Sequence, residues 1–368
     1  MAIKRIKAAV LLVFFSTALY AQNLGEFKPK TIGLNGAKKF KSKDIYIAGF
    51  SVNFQLYNLK TTTTKGGFAN QMLSGNTKAS LAVGLDIPAA TLQQLTDEAY
   101  QKFIQDLKAQ GFNILKGDTA ANTNYYKDYQ RLEGMEMSLS EAPGIVTVYP
   151  SNAVFFVKGF DNSGKIKREG MLSFMGTTDR SDEIASYPRL SQELNDAAIV
   201  NVDLYVLFLD VKKPYQGNGA KITANTNLRM AAYDHVESRV SNNSTTTRLG
   251  LTGNTKEKGV TCISSIDFVQ GRNKIGGSPL GVYTGILKDD LLVNDVLGSE
   301  KIEAYAKTDR DFIGTETAFG MMYRADNIAV ENTALIRADA EKYHEGVKKA
   351  LDTFLSYHVS EYKDKHFK

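Results

Sequence analysis

Residues 44–60, DIYIAGFSVNFQLYNLK, alternate in polarity along most of their length, and this stretch constrains the fold more than any other. Tyr46, Ala48, Phe50, Val52, Phe54 and Leu56 fall on one side, and Gly49, Ser51, Asn53 and Gln55 on the other. Successive strand side chains point to opposite faces, so alternation of this length predicts a half-buried strand. Residues 78–86, KASLAVGLD, alternate again through Leu81, Val83 and Leu85. The threonine- and glycine-rich residues between the two runs predict a long hairpin connection.

The period then changes. Leu92, Leu95, Ala99, Phe103 and Leu107 recur at helical spacing over 88–110,. Pro88 suits a first turn, and Gly111 suits a C-terminal stop because glycine takes the left-handed conformation cheaply. A short strand is expected at 112–118, a helix at 119–133, two short strands broken at Pro150 within 144–160, and surface loops over 161–187. Residues 197–213, AAIVNVDLYVLFLDVKK, are apolar at nearly every central position, as in a strand covered on both faces,. The turn PYQGNG, a returning strand over 220–236 and a strand over 260–269 follow; 270–325 carry no assignable pattern. A closing helix is expected at about 331–360, with Ala340, His344, Val347, Leu351, Phe354, Leu355 and His358 as its apolar stripe and KDKHFK as a solvated tail,.

The fold class expected is therefore α+β: a mixed, largely antiparallel sheet with long hairpins, packed by helices at about 88–110 and 331–360. Residues 22–43 read as a flexible lead-in and 44–368 as a single elaborated domain, with 119–190 and 240–325 as possible insertions. Residues 1–21 have a basic start (Lys4, Arg5, Lys7), an apolar run AAVLLVFF and small residues at Ala18 and Ala21. That order predicts a cleaved export signal, and the run is shorter than the roughly 20 residues a membrane helix needs. Export to the periplasm and outer membrane, or beyond the cell, follows. Removing the signal lowers the net charge from +5 to +2. A nearly neutral chain gives no basis for nucleic-acid binding. Cys262 is the only cysteine, which excludes an intramolecular disulfide and predicts a buried, inert thiol,.

The search for chemistry is short. Gly-x-Ser-x-Gly, a phosphate-binding Gly-x-x-x-x-Gly-Lys loop and a strand-following Gly-x-Gly-x-x-Gly are all absent,. His344 and His358 are about 21 Å apart along one helix and cannot share a metal. His235, in YDHVE, has Asp234 and Glu237 nearby, but neighbouring strand residues face opposite ways. No catalytic residue, cofactor or metal is expected. An acid pair assembled from the 270–325 region of a hydrolase, and a carbohydrate-binding surface built on tyrosines such as Tyr125, Tyr126 and Tyr129, stay open as alternatives.

The order of elements carries a resemblance. DIYIAGFSV leads through an insertion to PAATLQQLTDEAYQKFIQDLKAQG and FNIL; later come DAAIVNVDLYVLFLDVKK, AKITANTNLRMAAY and the helix DAEKYHEGVKKALDTFL. This resembles the periplasmic α/β domain of the curli-secretion (CsgG-like) family and its envelope-assembly relatives. The resemblance covers roughly 44–118, 195–236 and the last helix; the anchoring cysteine of the family's secretion members is replaced here by Gln22. It implies a scaffold or channel-assembly protein whose partners are other proteins or copies of itself, with outer-membrane contact in the channel case. Residues 46–56 meet the length of a barrel strand, so Phe50, Val52, Phe54, Leu56, Leu81, Val83 and Leu85 form a candidate interaction or membrane-facing surface. The same face packed against helix 88–110 is the alternative we favour. Finally, TTTTKGGFANQMLSGNTK (61–78) and STTTRLGLTGNTK (244–256) share threonine runs and Gly-Asn-Thr-Lys, which turn chemistry alone explains,.

Overall fold

The computed structural model describes residues 24–35, 42–64, 77–134, 137–139, 144–159, 180–212, 215–216, 220–240, 256–305 and 332–367. The export signal expected at 1–21 and both Gly-Asn-Thr-Lys stretches lie outside these residues. The fold is α+β, with mixed, largely antiparallel sheets.

The strands of the first half are β1 (Pro29–Asn35), β2 (Asp44–Gln55), β3 (Tyr57–Thr64), β4 (Thr77–Asp86), β5 (Asn113–Ile114), β6 (Gln130–Glu133), β7 (Met137–Leu139), β8 (Ile145–Val148) and β9 (Val154–Val157). Those of the second half are β10 (Ala198–Val211), β11 (Tyr215–Gln216), β12 (Ala220–Met230), β13 (Asp234–Val240), β14 (Lys256–Cys262), β15 (Ser265–Arg272), β16 (Pro279–Leu287), β17 (Leu291–Leu292), β18 (Lys301–Tyr305) and β19 (Asn332–Arg337). The helices are α1 (Ala89–Ala109), α2 (Arg180–Glu193) and α3 (Ala340–His366). The main sheet runs β1-β16-β15-β10-β2-β8-β7. β10 is its spine: β2 pairs parallel along one edge, while β15 and then β12 pair antiparallel along the other. A smaller sheet, β19-β4-β3, branches off where the chain leaves β2.

α1 and α3 cover one face of this sheet. The predicted stripe of α1 (Leu92, Leu95, Ala99, Phe103, Leu107) is buried and shares one core with Phe50, Val52, Phe54 and Leu56 of β2 and with Leu351, Phe354 and Leu355 of α3. Each such side chain contributes roughly 1.5–3 kcal/mol by leaving water. α1 stops at Gly111, φ +83°, with the Phe112 N–H bonded to the Leu107 carbonyl and the Gly111 N–H to that of Lys108. This is the helix stop that the glycine predicted. The Asp339 side chain caps α3 by accepting from the Glu341 and Lys342 N–H groups. Among the described residues no helix is long and apolar enough to cross a membrane.

Several expectations need correction. The lead-in holds a strand, β1, antiparallel to β16. The helix expected at 119–133 is a 3₁₀ turn (Gly117–Ala120), further turns and β6. Its Thr123 hydroxyl donates to the Ala120 carbonyl, a local bond that competes with helix,. Part of the supposed loop at 161–187 belongs to α2. The closing helix begins later, after β19, and extends through the supposed tail, burying Tyr362 and His366. Within β2 the phase of alternation shifts, because Ile47 pairs with Val200 but Gly49 with Asn201, so that Ala48 bulges. Ile45 and Ile47 therefore join the face of Phe50, while Tyr46 points into a second cluster with Tyr126, Leu190 and Ile199 on the other side,.

α3 also places His358 in the core, with Nδ1 2.7 Å from the Tyr283 hydroxyl. A Cβ at Gly285 would stand 2.3 Å from that nitrogen, so the imbibed ring fits only over glycine. Burial pulls the imidazole down to about 4 from its ordinary 6.5. The unfolded chain therefore binds a proton at higher pH than the folded one does. Stability conferred by neutral His358 is complete above pH 6.5 and falls as the pH drops toward 4, by about 3 kcal/mol in all,. Urea titrations at pH 7 and pH 4.5 are expected to show this loss in the native chain and a smaller one in His358→Gln; equal losses would refute it.

Candidate binding cleft at the roots of two hairpins

Two hairpins rise from the sheet. β3–β4 runs in register from Tyr57 opposite Gly84 to Thr64 opposite Thr77. β13–β14 runs from Asp234 opposite Cys262 to Val240 opposite Lys256. β13 packs against β3, so the hairpins that lead into the two threonine-rich stretches stand side by side. Their backbone origins differ. β3 leaves β2 through a bend at Leu56, where the Leu56 and Tyr57 N–H groups both bond to the Gly144 carbonyl. β13 follows β12 after a break at 231–233.

Between the two roots and the end of β10 lies a cleft of about 380 Å³. Its walls include Gln55 at the end of β2, Asn58 and Lys60 on β3, Asp210 and Lys212 at the end of β10, and Asp234 and His235 at the start of β13. Gln55 is 1 % exposed, and its Oε1 accepts the Phe208 and Leu209 N–H groups, each at 3.2 Å. These two β10 amides lie just beyond Val206, the last β10 residue that β2 pairs. The cleft is thus the wedge left where one strand peels away from another.

Arg229 on β12 braces the wedge from below. Its guanidinium is 3 % exposed and pairs with Asp234 through Nη2 and with Asp290 through Nε at 3.0 Å. Nη1 donates to the Leu209 and Asn227 carbonyls at 3.2 and 3.0 Å. Asp290 in turn accepts from the Ala232 N–H, and Asp234 from the His235 N–H. One cation thereby fixes the end of β10, the start of β13 and the loop after β16.

The acids considered for a hydrolase resolve differently. Asp290 is committed to Arg229 and Asp289 pairs with Lys28 at 3.2 Å; Asp309 and Asp311 lie outside the described residues. The link between Asp234 and His235 runs through the backbone N–H of His235 rather than its ring. Two other acids, Asp203 and Asp267, do share the second face of the sheet: Asp203 pairs with Ser265 and Asn201 with Asp267. Both are buried and hydrogen-bonded inward. Asp203 accepts from Ser51 and Asn53 at 2.8 and 2.6 Å, and Asp267 accepts from Thr284 at 2.6 Å. With Thr147 donating to Asn53, they form a polar belt across five strands. The polar side of β2 is therefore inside the protein, although alternation had suggested one wet face. Among the described residues no group of His, Cys, Asp and Glu is arranged to hold a metal.

The candidate interaction strand is covered by protein. Phe50, Val52, Phe54, Leu56, Leu81, Val83 and Leu85 are each no more than 3 % exposed and belong to the main core. That apolar face meets protein, because α1 and α3 lie over it. Tyr126 is buried and stacks on Phe156, with Tyr125 and Tyr129 half-buried around it, so this cluster is packing. Cys262 is buried, and burial pushes its thiol far up. Sequence reasoning noted His235 but missed Gln55, Asn58 and Arg229. The one available signal was that Gln55 ends an alternating run and Asn58 and Lys60 begin another.

No family model, no curated protein and no solved structure matches this chain.

Proposed function

We propose that this is an exported cell-envelope protein that acts by binding and assembly, as a scaffold or a component related to secretion channels. The observation that carries the reading is the juxtaposition of β3–β4 and β13–β14. Two hairpins from distant parts of the chain stand together, and each leads into a threonine-rich stretch of the sequence. Paired hairpins of this kind give a protomer two neighbouring arms with which to meet a partner or another copy. The basic–apolar–small N-terminus supports export, and the order of elements supports kinship in architecture with the CsgG-like envelope domains. The covered face of β2 favours a water-soluble body over lipid contact along that strand, which leaves any membrane contact to the hairpins.

Fractionation of a Gram-negative host expressing the full chain tests this. The mature protein is expected to begin after Ala18 or Ala21 and to travel with the envelope fraction. An uncleaved chain retained in the cytosol would overturn it.

A further inference from the structure

We infer that the cleft at the hairpin roots is a binding site for a carboxylate. Its inner wall is built around an amide whose orientation is fixed. The Oε1 of Gln55 accepts two backbone N–H groups, so its Nε2 must face the other way, into the cleft,. Nε2 makes no hydrogen bond with the described residues, although the side chain is almost wholly buried. Asn58, 5 % exposed on the same wall, likewise brings its carboxamide to the cleft with no partner among the described residues. Neither amide is sealed off from the cleft, so each is open to a ligand that takes the place of water,.

The remaining lining fixes the ligand's charge. Lys212 and His235 stand exposed at the mouth, and Asp234 is already neutralised by Arg229. Asp210 has no such partner among the described residues, and it suits an amine or hydroxyl elsewhere on the ligand. Amide donors inside and the Lys212 ammonium at the rim match a carboxylate, which only accepts,. A neutral sugar fits less well, because no Phe, Tyr or Trp among the described residues lines the cleft as a stacking platform. The volume suits a small organic acid or the last residues of a peptide. This inference goes beyond assembly: a monomer would bind equally well.

Titration calorimetry on the mature chain with succinate, with the tripeptide Gly-Gly-Ala and with its C-terminal amide tests it. At least one free acid is expected to bind, and the amide at least tenfold more weakly than the tripeptide acid if the chain end is the source. Succinate alone binding would assign a small metabolite-like acid. Gln55→Glu keeps an oxygen for the two β10 amides but turns the inward donor into an acceptor, so at least a tenfold loss is expected. Lys212→Gln, at an exposed position, should weaken binding several-fold with the melting curve unchanged, which separates ligand contact from folding. The inference is overturned if neither acid binds below about 10 mM, if the tripeptide acid binds and its amide binds as tightly, if maltose binds instead, or if Gln55→Glu binds as well as the native chain.

Discussion

Arg229→Met is expected to destabilise the protein by about 3–5 kcal/mol, the usual cost of removing one partner from a buried ion cluster. The reason is geometric. The guanidinium donates to two carboxylates and two carbonyls, one each from β10, β12, β13 and the loop after β16. Methionine fills the space but leaves Asp234 and Asp290 facing each other, part-buried, with no cation between them. Arg229→Lys should rescue little, since one ammonium cannot reach four acceptors spread around a planar fork. Equilibrium urea unfolding followed by far-UV circular dichroism measures both. A methionine variant within 1 kcal/mol of the native chain would show that Arg229 is not the brace described, a threshold near the scatter of ordinary surface substitutions (about 0.5 kcal/mol).

Gly144→Ala is the second substitution expected to act strongly. Gly144 has φ +81°, where an alanine costs about 1–2 kcal/mol,. More serious is space: the added Cβ would stand 2.0 Å from the Tyr57 carbonyl oxygen. Backbone cannot yield as a flexible side chain can. Relief would require the Gly144 carbonyl to release the Leu56 and Tyr57 N–H groups that it holds at the bend. We expect a total loss of about 3 kcal/mol or more, together with faster amide exchange at 56 and 57 than within β2. Exchange unchanged at those two amides would mean that the bend is held by something else.

Much of this fold is legible in the sequence where a single periodicity rules. α1 reads directly from Leu92, Leu95, Ala99, Phe103 and Leu107 and from its glycine stop. β10 reads from its unbroken apolar centre. Periodicity fails where one residue shifts the phase. At Ala48 the bulge moves Tyr46 to the opposite face from Phe50, and nothing in the run IYIAGF announces it, since every residue there except glycine is apolar or aromatic. The close fit of Asn201 over Gly49 helps explain the glycine: an added Cβ would stand 2.3 Å from the Asn201 Oδ1. α2 was hidden by Pro188, which ordinarily argues against a helix interior,. The cleft was illegible for a different reason. Gln55, Asn58, Lys212 and His235 come from β2, β3, the end of β10 and β13, and only the divergence of β2 from β10 brings them together. Local chemistry such as YDHVE marked one residue of the four and gave no hint of the others.

The measurement that bears most directly on the central claim is the molar mass of the mature chain by size exclusion with light scattering, after gentle detergent extraction of the envelope. The native chain is expected to elute as a species of several copies, or in complex with an envelope partner. A chain in which residues 65–76 and 241–255 are each replaced by an Asn-Gly turn is expected to elute as a folded monomer. A native chain that is itself a freely soluble monomer without partners would contradict assembly through the paired hairpins.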